Sequence, residues 1–241
     1  MFSLSFGEVL PKTSLGPASP FTARQRTATL IGMRRSALCA PVIVLAAWGV
    51  AAHAAEMTVA GITFSDAEGG FVLESATGTG RLDDPFVVVE RITGKGEAAL
   101  TITGLTPAFG NRVGTAHLAG FALVKVVHND TAETWRDFPV ELQEQRGDQS
   151  PYGDGLSFAQ APAAVRSIRS DRFAAAQMFD EPRDVVLFHD GTVAPGETVT
   201  VRVIVTDNTP ASRFYVVQRR IQPTAELAPR RGSTTFRRAA G

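Results

Sequence analysis

The sequence feature that most constrains the fold is a strict alternation of valine with other residues in the C-terminal third of the chain. Between residues 197 and 207 every second position from 199 to 205 is Val, and Thr and Arg occupy most of the alternate positions. Successive side chains of a β-strand point to opposite faces, so a period of two places all four valines on one face. The pattern predicts a half-buried antiparallel strand.

Further short runs of β-forming residues precede and follow this strand, and Gly, Pro and Asn turn residues separate them. They cover residues 57–64, 71–74, 86–92, 99–103, 118–128, 134–142, 184–189 and 213–221. No helical pattern alternates with these runs, which favours an all-β fold over an α/β fold. We therefore predict an antiparallel β-sandwich of about eight or nine strands.

Two of these strands carry a prediction about their position in the sheets. Residues 118–128 are apolar on both faces, which predicts a central strand that is buried on both sides. Pro139 lacks an N–H group, so the strand over 134–142 is expected at a sheet edge or with a bulge.

The entry to the valine strand also suggests a type of sandwich. The stretch Pro195-Gly196-Glu197-Thr198-Val199 resembles strand entries in many immunoglobulin-like secreted modules. This resemblance covers about a dozen residues and concerns only the architecture. It implies an immunoglobulin-like sandwich, and a jelly roll is the alternative topology.

One long segment, 143–183, interrupts the strand pattern with about forty residues. Ser170 as N-cap and Asp171 in the first turn predict a short helix over 170–177. Long loops on a rigid sandwich often carry function, and the alternative is that the segment only covers one end of the core.

The strongest motif is an order of basic, apolar and small residues over 33–54, which ends in Ala52-His53-Ala54. This order is typical of a secretory signal peptide and predicts cleavage after Ala54. An uncleaved membrane anchor is the alternative. Residues 1–32 have no useful periodicity and are interpreted as a disordered, over-extended gene start, with a long n-region as the alternative.

Charge and cysteine usage exclude several function classes. The chain holds 24 basic and 24 acidic residues, and this balance argues against a nucleic-acid binder. The basic residues are enriched at both ends, so the predicted sandwich domain 55–228 is acidic, and residues 229–241 are predicted to be a basic disordered tail. The single cysteine, Cys39, lies in the predicted signal peptide, so a mature chain has no disulfide or cysteine-ligated metal.

The catalytic and metal motifs are incomplete. Residues 155–159 miss the G-x-S-x-G pattern by one position and lack the parallel sheet that it needs. Asp148, Ser150 and Asp154 are spaced somewhat like a calcium loop, but Tyr152 stands where an oxygen ligand belongs. The histidines at 117, 128 and 189 have no short ligand spacing. We therefore predict no catalytic residue, no metal ligand and no cofactor.

Four residues remain as candidate binding residues: Asp148, Tyr152 and Asp154 on the long segment, and Trp135. The sequence predicts an exported, periplasmic or extracellular, non-catalytic binding or structural module. Its partner is expected to be an unknown protein or envelope component, with no nucleic acid and no stable membrane insertion after cleavage.

Two further functions are compatible with the sequence. A secreted hydrolase would use Asp148, Asp154 and a histidine as acid and base, which requires a histidine within hydrogen-bond reach of one of these carboxylates. A calcium-stabilised adhesion module would require carboxylates and carbonyls that converge at one end of the sandwich.

Overall fold

The computed structural model of the protein describes residues 54–158, 168–219 and 234–237. The predicted gene-start extension and all but the last residue of the predicted signal peptide lie outside these ranges. Fourteen β-strands and one short 3-10 helix, η1, form the regular structure of the described residues. They are β1 (Glu56–Val59), β2 (Ile62–Ser65), β3 (Val72–Thr77), β4 (Phe86–Ile92), β5 (Ala98–Thr103), β6 (Ala119–Asn129), β7 (Phe138–Gln143), η1 (Tyr152–Asp154), β8 (Leu156–Phe158), β9 (Arg169–Ser170), β10 (Phe173–Phe179), β11 (Val185–Gly191), β12 (Thr198–Asp207), β13 (Arg213–Gln218) and β14 (Thr234–Arg237).

The strands form two sheets that pack face to face. The first sheet has the order β1-β2-β5-β13-β7-β11-β10-β14, and the second has the order β3-β4-β6-β12-β8, with β9 also paired to β12. Strands β4 and β6 run parallel, and the other paired neighbours are antiparallel. Buried side chains from both sheets form one main hydrophobic cluster. The prediction of an all-β sandwich is therefore confirmed.

The valine strand β12 has the predicted register. Val199, Val201, Val203 and Val205 are all 0% exposed and belong to the main core. Thr200 and the other alternate residues near the start of the strand are partly exposed on the outer face. The period-two pattern therefore identified both the strand and its buried face.

The first predicted strand, 57–64, is instead a hairpin of β1 and β2. Val59 pairs with Ile62, so only Ala60 and Gly61 form the turn. Both have positive φ angles, 49° and 91°. Two-residue turns of this kind match the twist of the flanking strands. The apolar positions shift by one residue at this turn, from Met57 and Val59 to Ile62 and Phe64, and the prediction of a single strand overlooked this shift.

The predicted helix over 170–177 is wrong, because this segment is extended. Ser170 lies in β9, and residues from Phe173 onward form β10, which pairs with β11. The Ser170 hydroxyl does accept hydrogen bonds from the N–H groups of Arg172 and Phe173, at 3.2 and 3.4 Å. The serine thus caps a tight turn between two strands and not a helix. Strands β8, β9 and β10 in this segment raise the strand number above eight or nine; residues 159–167 lie outside the described ranges.

The central position predicted for residues 118–128 is confirmed, since β6 lies between β4 and β12. Burial on both faces is only partly right. Val124 and Val126 on the outer face are partly exposed, while Lys125 faces the core and is fully buried.

Pro139 is not on an edge strand, because β7 lies between β13 and β11. The structure nevertheless tolerates the missing N–H of this proline. The pairing of β7 with β13 covers only Glu141 to Gln143, so at Pro139 the strand pairs only with Leu187 of β11.

Within the predicted basic tail, 229–241, the structure describes four residues. Thr234–Arg237 form β14, which adds to the first sheet by pairing with β10. The edge of β10 offers backbone N–H and C=O groups for pairing. A segment whose sequence shows no strand periodicity can be ordered by bonding to them. The other residues of the tail lie outside the described ranges.

Candidate functional site

Three segments of the chain meet at one end of the sandwich. They are residues 144–155 after β7, residues 180–184 before β11, and residues 207–211 after β12. Backbone hydrogen bonds join them: Asp184 N–H donates to Ser150 at 2.9 Å, Tyr152 N–H to Asp180 at 3.1 Å and Asn208 N–H to Gly155 at 3.0 Å. We call this region the acidic end, for its acidic residues Glu144, Asp148, Asp154, Asp180, Glu181, Asp184 and Asp207.

Asp154 is the residue that ties the acidic end together. Its Oδ2 accepts a hydrogen bond from Ser150 Oγ, and its Oδ1 accepts one from Leu156 N–H at 3.0 Å. Its backbone carbonyl accepts a further bond from Thr209 Oγ1 at 2.7 Å. The Ser150 hydroxyl also accepts a bond from Glu144 N–H at 3.3 Å. The loop is thus held by side chains in a fixed conformation.

Gly155 explains why the chain turns at this point. It ends η1 with a φ angle of 103°, a region that residues with a Cβ rarely adopt. A Cβ added here would lie 2.3 Å from Thr209 Oγ1. Glycine therefore permits both the turn and the close contact between the 144–155 and 207–211 segments.

Asp184 is the most perturbed group of the acidic end. Its side chain is fully buried, and neither carboxyl oxygen has a hydrogen-bond partner among the described residues. Burial, with smaller effects of Asp154, Asp180 and Glu181, raises its pKa to about 9. The carboxyl group is therefore protonated at neutral pH.

Two further carboxyl groups have raised pKa values. Burial raises the pKa of Glu144, and the charges of Asp154 and Asp207 add to this effect. Burial also raises the pKa of Asp207, although the N–H groups of Thr209 and Ala211 donate to its carboxylate at 2.8 and 3.3 Å and oppose the shift. Clustered perturbed pKa values are typical of functional sites.

Acidic residues outnumber basic ones in the three segments of this end, which hold seven acids and the two cations Arg146 and Arg183. The charged groups that shift the pKa values of Glu144, Asp184 and Asp207 are all acidic, with the single exception of His117 beside Asp207. A cluster of this kind attracts a proton or a positively charged ligand.

Three of the four sequence-predicted binding residues lie on the acidic end. Asp148 is exposed, and Tyr152 is 45% exposed at the start of η1, next to Asp154. Trp135 does not join them, because it precedes β7 while the other three follow it, at opposite ends of that strand. The Trp135 ring lies partly buried, 5.7 Å from that of Phe138, and its backbone pairs with Val193.

The three histidines of the described residues form no hydrogen bond with the 144–155 segment of the acidic end. His128 Nδ1 lies 2.7 Å from Thr198 Oγ1, and His189 Nδ1 lies 3.1 Å from Asp190. The buried Nδ1 of His117 has no hydrogen-bond partner among the described residues. The histidine-to-carboxylate contact that a hydrolase would require at Asp148 or Asp154 is thus not formed by these groups.

Metal binding and membrane crossing each require a particular arrangement of residues. Within residues 54–158, 168–219 and 234–237, no group of three or more His, Cys, Asp or Glu side chains is arranged to hold a metal ion. In the same ranges no helix has the length and apolar character needed to cross a membrane.

Sequence reasoning missed Ser150 as the residue that links Asp154 to β7, and it missed Glu144, Asp184 and Asp207 entirely. Each of these three acids stands at the end of a strand, where a charged residue is unremarkable. One signal was available in the sequence: Asp184 directly precedes the apolar run of β11. A side chain next to such a run is more often buried than a side chain within a turn.

Comparison of the chain with protein-family models, curated proteins and solved structures finds no match.

Proposed function

We propose that this protein is an exported, non-catalytic β-sandwich that binds a positively charged segment of a protein or envelope partner through its acidic end. The observation that carries the proposal is the excess of acidic over basic residues at this end, where Asp148 and Glu181 are exposed. A rigid sandwich that presents a charged loop is a common arrangement for binding. Like charges gathered at one site reduce stability, and a cationic partner offsets that cost.

The chemistry of the site supports binding more than catalysis. The Ser150 hydroxyl already donates to Asp154 and accepts from Glu144 N–H, so it is committed to the loop. Asp184, the group with the pKa nearest to that of a general acid at neutral pH, is fully buried and does not reach a substrate. In contrast, Asp148, Tyr152 and Glu181 are exposed.

Export is the other half of the proposal, and the basic, apolar and small-residue order of 33–54 supports it. N-terminal sequencing of the protein from a periplasmic or secreted fraction tests it, with Ala55 as the expected first residue. A mature protein that begins before Met33 would contradict export.

Binding is tested by fluorescence anisotropy with a labelled oligolysine peptide as the probe. The double variant Asp148→Asn/Glu181→Gln removes two exposed charges from the acidic end, and we expect weaker binding and a smaller salt dependence. The control Asp130→Asn/Glu133→Gln removes two charges beyond the other end of β6 and should bind like the wild type. Equal losses in both variants would show only an effect of net charge and would contradict a site at the acidic end.

A further inference from the structure

Two arginines face each other on the outer face of the second sheet, apart from the acidic end. Arg169 of β9 lies directly opposite Arg202 of β12 in the antiparallel register. Directly opposed residues share a face, with Cβ atoms about 4.5–5.5 Å apart, and like charges in such positions destabilise the strand pair. The fold therefore maintains this pairing at a cost.

Neither guanidinium group is neutralised by an acid of the described residues. Arg169 is exposed, and its guanidinium group forms no hydrogen bond or ion pair with the described residues. Arg202 donates from Nη2 to the Leu82 carbonyl at 2.5 Å, but its buried Nε has no partner. Burial lowers the pKa of Arg202, and the charge of Arg169 lowers it further. The neighbouring Asp171 accepts a hydrogen bond from Thr200 N–H at 2.8 Å.

The two arginines line a cavity of about 320 Å³. This volume is at the lower end of the range typical of small-molecule sites, about 300–1,000 Å³. The described lining residues are Val124, Arg169, Ser170, Asp171, Thr200 and Arg202. The cavity thus combines two cationic groups and one carboxylate, that of Asp171, with the apolar side chain of Val124.

The apolar surface at Val124 continues across the sheet. Val124 pairs with Val87 of β4, and the next outward-facing pair along the same strands is Val126 with Val89. All four valines are partly exposed. A ligand with a hydrocarbon part therefore has a surface to cover next to the arginines.

We propose that this cavity binds a small organic carboxylate, with the oxyanion between Arg169 and Arg202 and the hydrocarbon part against Val124 and its valine neighbours. The planar guanidinium fork matches the geometry of a carboxylate. An anion between the two arginines also removes the repulsion between them. The site does not depend on the function proposed for the acidic end.

The test is calorimetric titration of the full chain with acetate and with octanoate. We expect octanoate to bind more tightly than acetate, because each buried methylene group adds to the affinity. Arg169→Gln should weaken octanoate binding by about tenfold or more, since it removes a charge-assisted hydrogen bond. Arg91→Gln is the matched control: Arg91 lies on the same sheet face but is bonded to Glu74 at 2.6 Å, and its replacement should leave binding unchanged.

Arg169 is the preferred position for the variant because it is exposed and its side chain bonds no described residue, so the variant is expected to fold. Its melting temperature without ligand should equal or exceed that of the wild type, since one of two opposed charges is removed. Arg202→Gln provides the second test and should give the same loss of binding. The proposal would be overturned if the wild type did not bind octanoate, or if Arg169→Gln bound octanoate as tightly as the wild type does. Equal affinity for acetate and octanoate would overturn the role of the valines.

Discussion

Lys125 and Glu90 form an ion pair inside the sandwich, with Lys125 Nζ 3.0 Å from Glu90 Oε1. Their side chains are 1% and 0% exposed, and apart from this pair neither charged group has a hydrogen-bond partner among the described residues. Burial raises the pKa of Glu90 and lowers the pKa of Lys125, and each charge opposes the shift of the other. The pair lies between the parallel strands β4 and β6.

The first prediction concerns this pair. Lys125→Met leaves the Glu90 carboxylate buried without a cation and should lower the free energy of unfolding by about 3–5 kcal/mol. The double variant Lys125→Met/Glu90→Leu removes both charges, so we expect it to recover most of this loss. Urea unfolding measures all three proteins. A double variant no more stable than the single variant would show that the pair itself is needed for packing.

The second prediction concerns Asp184 and pH. The unfolded chain releases this proton near pH 3.8, while the folded protein keeps it to about pH 9. The unfolded state therefore binds fewer protons between these values, and stability falls as pH rises through this window. Asp184→Asn removes the effect and should be more stable than the wild type at pH 7, by about 2–4 kcal/mol, with the difference vanishing near pH 4.

Unfolding of both proteins across this pH range provides the measurement. Asp148→Asn is the control, because it removes an exposed carboxylate from the same end and leaves the buried Asp184 carboxyl group in place. If Asp184→Asn instead shows the same slope as the wild type, the carboxyl group is not the buried, protonated acid described above.

The third prediction concerns two neighbouring glycines of the acidic end. Gly155→Ala places a Cβ at a φ angle of 103° and against Thr209 Oγ1, so it should cost about 2 kcal/mol or more. Gly153→Ala meets nothing within 4 Å and should change stability by less than about 0.5 kcal/mol. Thermal melts compare the two, and similar melting temperatures would contradict the close approach at Gly155.

The fourth prediction tests the faces of β6. Val127 is 0% exposed in the core, while its neighbour Val126 is partly exposed on the outer face. Val127→Asp buries a carboxylate in the core, where its partner on β4 is the acidic Glu90, so the cost is several kcal/mol and comparable to the total stability of a domain, about 5–15 kcal/mol. Val126→Asp should be much milder. Circular dichroism separates a folded from an unfolded variant, and equal effects would mean that the register of β6 is wrong.

The sequence predicted those parts of the fold that depend on local pattern. The alternating valines identify β12 and its buried face, and the apolar run 86–92 coincides with β4. The hairpin at Ala60 and Gly61 was overlooked, although the apolar positions shift there by one residue, from Val59 to Ile62. The partners of each strand were not predictable either, since the parallel pairing of β4 with β6 depends on the whole sheet.

The candidate site was predicted only where its residues are close in sequence. Tyr152 and Asp154 lie on one loop, so composition identified them. Asp184 and Asp207 reach this loop only through the sandwich, and no pattern in the chain connects them. Lys125 differs from these acids, because its position was informative but was not used. It is a single charged residue on the core-facing side of an apolar run, and such a residue indicates a buried ion pair.

The position of β6 between β4 and β12 also determines when the protein can fold. β6 pairs along its length with β12, and Thr198 and His128, which are bonded across this pair, lie 70 residues apart in the chain. At a synthesis rate of about 5–20 residues per second, β6 is therefore synthesised several seconds before its partner β12. Folding dominated by such distant pairings is also intrinsically slow. The second sheet is therefore incomplete until synthesis has passed β12, and in the exported module proposed above this delays folding of the nascent chain.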